Sequence, residues 1–452
     1  MSRIVKLPAS LRPPPGATAS KAVTSNGKTA RGDDVRGNEM RVTLATGLGV
    51  EMADGFESDG VALAPPPLPS VSTRGSSPTS ALNTRLAFMA HSAPAPLAPA
   101  VAQLHQSLTQ HPHKGPLVDD VVQLPTFAAL DEAGQTTVLT LMHRAGLRGA
   151  HAMHALAHTE LHGRPLLQAD GTSSCVLRSL GRLAQLQLHG DMALHLDVDM
   201  LLDDVLGELH DPSVICQSAR GTCAATALQY ELARAHPRRY LRMASELLDG
   251  GASHGTDSNG QVQAIGVVAD SIPMDNAAER SAFGRLFQSA LMDAAHTWTT
   301  GTYSNVHDHY VDGQGAMTGT GGLYDSEGLN AASLLFGQSN AVLEYDVHTA
   351  MNVFSNEANT PMRGAVVALN WSNNGAGGHM VTFSHVDGDR VYFRNPWGNV
   401  TKDAPGTLRD PPGSIVEDDV GLESMARADF MSRFHHTVHF STDPAGDAGM
   451  ST

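Results

Sequence analysis

The sequence predicts an α+β fold, with a layer of helices packed against an antiparallel sheet. Three observations predict it. Apolar residues recur at helical spacing through the middle of the chain, as Leu177, Leu180, Ala184 and Leu188, then Leu201, Val205 and Leu209. Short β-type runs crowd the last third, from Ala341 to Asp346, Gly364 to Trp371, Val391 to Phe393 and Thr437 to Phe440. Helices grouped before strands imply segregated layers, where alternation would imply βα units.

The first element is expected to be unfolded. Fourteen of the 25 prolines lie in the first 120 residues. Residues 1–30 carry Arg3, Lys6, Arg12, Lys21 and Lys28 and no acidic residue. Further proline clusters follow at Pro65-Pro66-Pro67-Leu68-Pro69 and at Pro94, Pro96 and Pro99. Such a segment buries too little apolar surface to offset its chain entropy, so 1–116 reads as a disordered region. It serves either as a plain linker or as a delivery segment of the kind that injected bacterial effectors carry. Arg31-Gly32-Asp33 in such a tail is a chance tripeptide. No apolar run reaches the length of a membrane span, and the N-terminus lacks the apolar core of a secretory signal. The expected location is cytoplasmic, or outside the cell without a signal peptide. A net charge of −16 argues against a nucleic-acid partner.

Residues 117–210 form the expected helical region. His151, His154, His158 and His162 fall on one stripe at i, i+3, i+7 and i+11. Pairs at i, i+4 chelate zinc in some proteins, but Glu160 is misplaced for the metalloprotease signature and no carboxylate or thiol completes a set. A half-buried polar face is the preferred reading, with no metal and no cofactor assigned.

Asp211-Pro212 ends that region and opens the segment 211–442. A small-residue turn, Gln217-Ser218-Ala219-Arg220-Gly221-Thr222, leads to Cys223 at the start of a helix expected to reach His236. A thiol there feels the positive end of the helix dipole, which favours thiolate. Pro237 starts a second helix, Arg238 to Leu248, closed by Gly250. Residues 250–262 read as a loop, and Asn276 as the cap of a helix running to Thr297. Thr299 to Gly322, with His307-Asp308-His309, reads as a polar rim loop in preference to a metal site. A short helix is expected over 327–337 and another over Arg427 to Phe434. A strand begins at Gly378-His379, turns at Asp387-Gly388-Asp389 and returns to Asn395-Pro396-Trp397-Gly398. Residues 443–452 read as a flexible tail. Cys175, Cys216 and Cys223 are too few for a disulfide framework and suit one reactive thiol beside two inert ones.

The order Cys223, His379, Asn395 resembles that of the papain-like cysteine peptidases, including their calpain branch. Gln217 stands six residues before Cys223 and Gly221 two before it, as the family's oxyanion Gln and Gly do. Asn395-Pro396-Trp397-Gly398 fits the family's Asn-x-Trp-Gly motif sixteen residues after the histidine, and Arg394 before it is closer to the calpain version. The resemblance covers Asp211 onward. It implies a papain-like fold in which the helical layer carries the nucleophile and the sheet carries His379 and Asn395. It also implies a protein or peptide substrate, cleaved through a thioester. By the same resemblance Asn395 orients the base, Gln217 and the Cys223 N–H form an oxyanion hole, and Gly221, Gly378 and Trp397 border the substrate. Two departures stand out: Ala224 replaces the family's Trp after the nucleophile, and about 155 residues separate Cys223 from His379. His385, six residues along the same strand and on the same side by parity, competes as the base. Transamidation, deamidation and acyl transfer share the thioester, and a non-catalytic binding module sharing the fold is a further alternative.

Overall fold

The computed structural model describes residues 96–161, 164–167, 173–274, 280–297, 300–357, 363–371, 378–398, 413–418 and 420–441, which fall in one compact unit. Residues 1–95 and 443–452, with the expected tails, lie outside them, as do His162, Asn276 and Gly377.

Order begins earlier than the proline count suggests. Pro99–Thr109 is a helix, α1, with Pro99 in its first turn, where a missing N–H costs nothing, and with Val101 and Leu108 buried. Helices α2 (Gly115–Gln123), α3 (Glu132–Arg144), α4 (Leu147–His158), α5 (Ser173–Ala184) and α6 (Val198–His210) follow. The histidine stripe is shorter than expected, because α4 ends at His158 and Thr159 is extended. Residue 210 marks no break in packing: Leu201, Val205 and Leu206 of α6 share one apolar core with the helices that follow.

Helix α7 (Cys223–Ala235) presents Ala224, Ala225, Ala227, Leu228 and Leu232 to that core. Helix α8 (Pro237–Gly250) is amphipathic, with Tyr240, Leu241, Met243, Ala244, Leu247 and Leu248 fully buried. Its closing residue is Gly251, not Gly250, because the cap there has φ 74°. The expected loop over 250–262 instead forms much of a hairpin, Ala252–Thr256 with Val262–Gly266, around an Asp257 turn. Helix α9 (Ala282–Ala295) is capped by the Ser281 hydroxyl, which accepts from Gly284 N. The segment expected as a rim loop forms a small sheet of Thr302–Ser304, His309–Val311 and Met317–Thr320. Helix α10 (Asp325–Phe336) closes the helical layer.

The main sheet has seven strands, all neighbours antiparallel. In chain order these are β1 (Ala341–Glu344), β2 (Arg363–Asn370), β3 (Gly378–Asp387), β4 (Arg390–Arg394), β5 (Ile415–Val416), β6 (Leu422–Ala426) and β7 (Phe434–Ser441). Their spatial order is β5-β6-β4-β3-β2-β7-β1. Strand β2 is a continuous apolar run because both its faces are covered. Val366 and Ala368 join the core beneath α7 and α10, while Ala365, Val367 and Leu369 join a second cluster with Phe354 and Phe430. Phe354 belongs to α11 (Val347–Glu357), a helix the strand-rich reading of this region does not anticipate, and Phe430 to α12 (Arg427–Arg433). The fold is mixed α+β, with helices on two faces of the sheet where one layer was expected.

Candidate active site

The site forms where α7 meets the first residues of β3. Cys223 is the first residue of α7, and the backbone N–H of Met380, the residue after His379, acts on its thiol to favour the thiolate. The turn ahead of it is held from three sides. Gln217 N–H donates to the carbonyl of Pro396 at 2.8 Å, joining the turn to the Asn395 motif. Ser218 adopts φ 54°, a left-handed conformation in a non-glycine residue. Gly221 N–H donates to both carboxylate oxygens of Asp308, at 2.9 and 2.8 Å. A Cβ on Gly221 would stand 3.3 Å from Asp308 Oδ1, so glycine here allows the carboxylate to approach. The Tyr303 hydroxyl donates to Asp308 Oδ1 at 2.7 Å and holds it in place.

On the sheet side, His379 Nε2 lies 2.9 Å from Asn395 Oδ1. Asn395 follows β4, and its backbone N–H donates to Gly421 O at 2.8 Å. Its side-chain Nδ2 donates to Glu423 Oε1 at 2.7 Å, so the amide is fixed at both ends. The Trp397 ring lies 4.3 Å from the imidazole, centroid to centroid, and Trp371 meets the ring edge-on at 4.5 Å. Gly398 has φ 64°, and a Cβ there would come within 3.0 Å of Cys216 Cβ, which accounts for the glycine after Trp397. Arg394 reaches back to the carbonyls of Ser213 and Ile215, with its guanidinium 4.6 Å from the Tyr230 ring centre. Cys216 is buried, and its carbonyl accepts from Gln288 Nε2.

The expected charges do not follow. Cys223 keeps some exposed surface, yet dense surroundings push its thiol up, against the hydrogen bonds from Met380 and Ala224, and the Asp308 carboxylate adds to the rise. Burial pulls the His379 imidazole down to about 4, despite its bond to Asn395. Burial thus works against the thiolate that a helix N-terminus favours and against a charged imidazole beside it.

Among the sequence-derived residues His379, Asn395 and Trp397 form one cluster, Gln217 is tied to it through the Pro396 carbonyl, and Cys223 stands beside the Met380 backbone. Gln217 is buried and its Nε2 already donates to the Arg220 carbonyl. Gly221 supports the turn through Asp308, and Gly378 pairs with Asn370 at the strand start. His385 is excluded as the base: a bulge between Phe383 and His385 breaks the parity argument, and its ring is exposed and stacked on Tyr392 at 4.3 Å. Asp308, Glu423 and Trp371 were missed as site residues. Each acts through the fold from a remote stretch, with no local motif to mark it.

Two metal-type clusters share no residue with this site. Asp120, His154 and His158 form one, and Asp325, His435 and His436 another. His307 and His309 form no such set with Asp308, whose oxygens are committed to Gly221 and Tyr303. No helix of the described residues is long and apolar enough to cross a membrane. Comparison with protein-family models and with curated protein sequences finds no match.

Proposed function

We propose that this chain is a papain-like cysteine peptidase, hydrolysing peptide bonds in a protein or peptide substrate through Cys223, His379 and Asn395. The observation that carries the reading is the 2.9 Å bond from His379 Nε2 to Asn395 Oδ1 beside Trp397. It commits one ring nitrogen to orientation and leaves Nδ1 for the thiol.

Because burial works against both charges, His379 acts first as a general base. Nδ1 takes the thiol proton as Sγ attacks the carbonyl carbon, so charge separates only while the new bond forms. The imidazolium formed is compensated by the Asn395 carbonyl oxygen and by the aromatic faces beside it. The Cys223 N–H and the second N–H of the Gln217 amide are the oxyanion donors in this reading. Loss of one such donor costs about 2.7–4 kcal/mol in the barrier. The imidazolium then gives its proton to the leaving amine, and neutral His379 activates the water that clears the thioester.

The test is labelling by a peptide-based thiol inactivator, read by mass spectrometry, alongside cleavage of a peptide library. A single adduct on Cys223, abolished in His379→Ala, and cleavage absent in Cys223→Ser are the expected results. Equal labelling of all three cysteines, unaffected by His379→Ala, would sink the reading and leave a binding module.

A further inference from the structure

The histidine stripe acquires in three dimensions the carboxylate that it lacks in sequence. His154 Nε2 and His158 Nε2 each lie 2.8 Å from the same atom, Asp120 Oδ2. The two histidines stand one turn apart at the C-terminal end of α4, and Asp120 comes from α2. Spacing of i, i+4 places both rings on one helix face, and their centroids are 4.8 Å apart. All three donor atoms lie within 4.8 Å of one another.

We propose that Asp120, His154 and His158 form a binding site for a divalent transition-metal ion, with Zn2+ the best fit, that links α2 to α4. The donor set is two neutral imidazoles and one carboxylate, which suits zinc with a water in the fourth position. Ligand atoms about 2.0 Å from a tetrahedral zinc stand about 3.3 Å apart. The two 2.8 Å separations open to that spacing by about half an ångström of side-chain rotation, and the same rotation has to bring the two Nε2 atoms, which lie within 4.8 Å of each other, to it. The side chains have that freedom, being 27%, 43% and 54% exposed at His154, His158 and Asp120. The same exposure leaves room for the water. The charge balance also favours a cation. The last turn of α4 places the negative end of its dipole beside the rings, and the chain carries a net charge of −16. On binding, the ion takes the Nε2 lone pair of each ring, and the ring proton resides on Nδ1. No electron transfer or other reactant is involved. This site is independent of the peptidase reading.

The experiment uses the full chain carrying Cys223→Ser, so that the partly exposed thiol does not compete for metal. Zn2+ affinity is measured by competition with a chromophoric chelator, and bound metal is counted after dialysis. One ion per chain is expected, with affinity reduced at least about tenfold in Asp120→Asn and further in His154→Ala/His158→Ala. His435→Ala, in the other cluster, should leave that ion in place. Zn2+ should also raise the Tm of the parent chain and not that of the double variant, whose fold is checked by circular dichroism. Unchanged stoichiometry and affinity in the variants, or loss of the ion in His435→Ala alone, would overturn the assignment. So would a parent chain that retains no zinc.

Discussion

His379 and the pair His154/His158 show one side chain in opposite surroundings. His379 is buried between two indoles with a neutral amide as its polar partner, and its imidazolium is disfavoured down to about 4. His154 and His158 stand at the surface against a carboxylate. A desolvated imidazole with a fixed ring suits a base that must be neutral before each turnover. Imidazoles converging on a carboxylate at the surface suit a cation that arrives from solvent. The difference teaches that chemistry here is set by what surrounds the ring, and that neighbours remote in sequence provide it.

The largest test of the comparison is to remove the buried ring. His379→Ala or Cys223→Ser should lower kcat/KM by at least about 10^3-fold, as expected when a nucleophile–base unit is broken. Loss of Asp120, His154 or His158 should leave that rate unchanged. A comparable loss in the surface variants would show that the two regions are coupled.

The next effect falls on the support behind the base. Glu423→Ala leaves the buried Asn395 Nδ2 donor unpaired and should cost about 1–3 kcal/mol of stability. In urea denaturation this appears as a lower midpoint. The Asn395 amide also becomes free to turn, so kcat should fall more than KM rises. Glu423→Gln keeps an acceptor and should recover most of both. Equal behaviour of the two variants would show that the Glu423 charge matters beyond its role as acceptor.

Asp308 tests the nucleophile's side of the site. Its carboxylate holds the Gly221 N–H and also pushes the Cys223 thiol up. Asp308→Asn keeps an acceptor and removes the charge. Cys223 alkylation near pH 7 should therefore accelerate, because a larger fraction of the thiol is then thiolate. Asp308→Ala should instead loosen the turn and slow peptide cleavage. If Asp308→Asn leaves the alkylation profile unmoved, the carboxylate is a clamp only.

What could be read from the sequence was local chemistry. The Cys223 helix start, the β2 apolar run and the His379–Asn395 hairpin are each continuous stretches whose spacing reports their geometry. The Asp120, Asp308 and Glu423 partnerships join segments 34, 87 and 28 residues apart, and periodicity carries no trace of them. Helix α11 was overlooked because it interrupts a strand-rich region. The His385 argument failed for another local reason: one bulged residue reverses parity for everything beyond it. The thiolate expectation weighed the dipole and left out desolvation, which depends on packing.

The smallest expected effect separates the two kinds of histidine through stability alone. In the folded chain burial holds the His379 imidazole down to about 4, whereas in the unfolded chain it takes a proton near the ordinary imidazole value of 6.5. Between those values the unfolded state holds more protons at this group, so its contribution to stability falls as pH is lowered from 6.5 towards 4, while Glu208, pushed up to about 7 by burial, acts in the opposite sense. One such group contributes a slope of at most about 1.36 kcal/mol per pH unit. His436, also drawn down to about 4 by burial, adds to the same window. Replacing His379 by Gln should flatten that slope by one proton's worth in urea titrations at stepped pH, and His436→Gln by another. The same neutral base predicts that the acid limb of peptide cleavage lies near pH 4, well below the usual imidazole range. A limb at 6.5 with an unflattened stability slope would mean that substrate-free His379 is solvated, and the contrast with His154 and His158 would disappear.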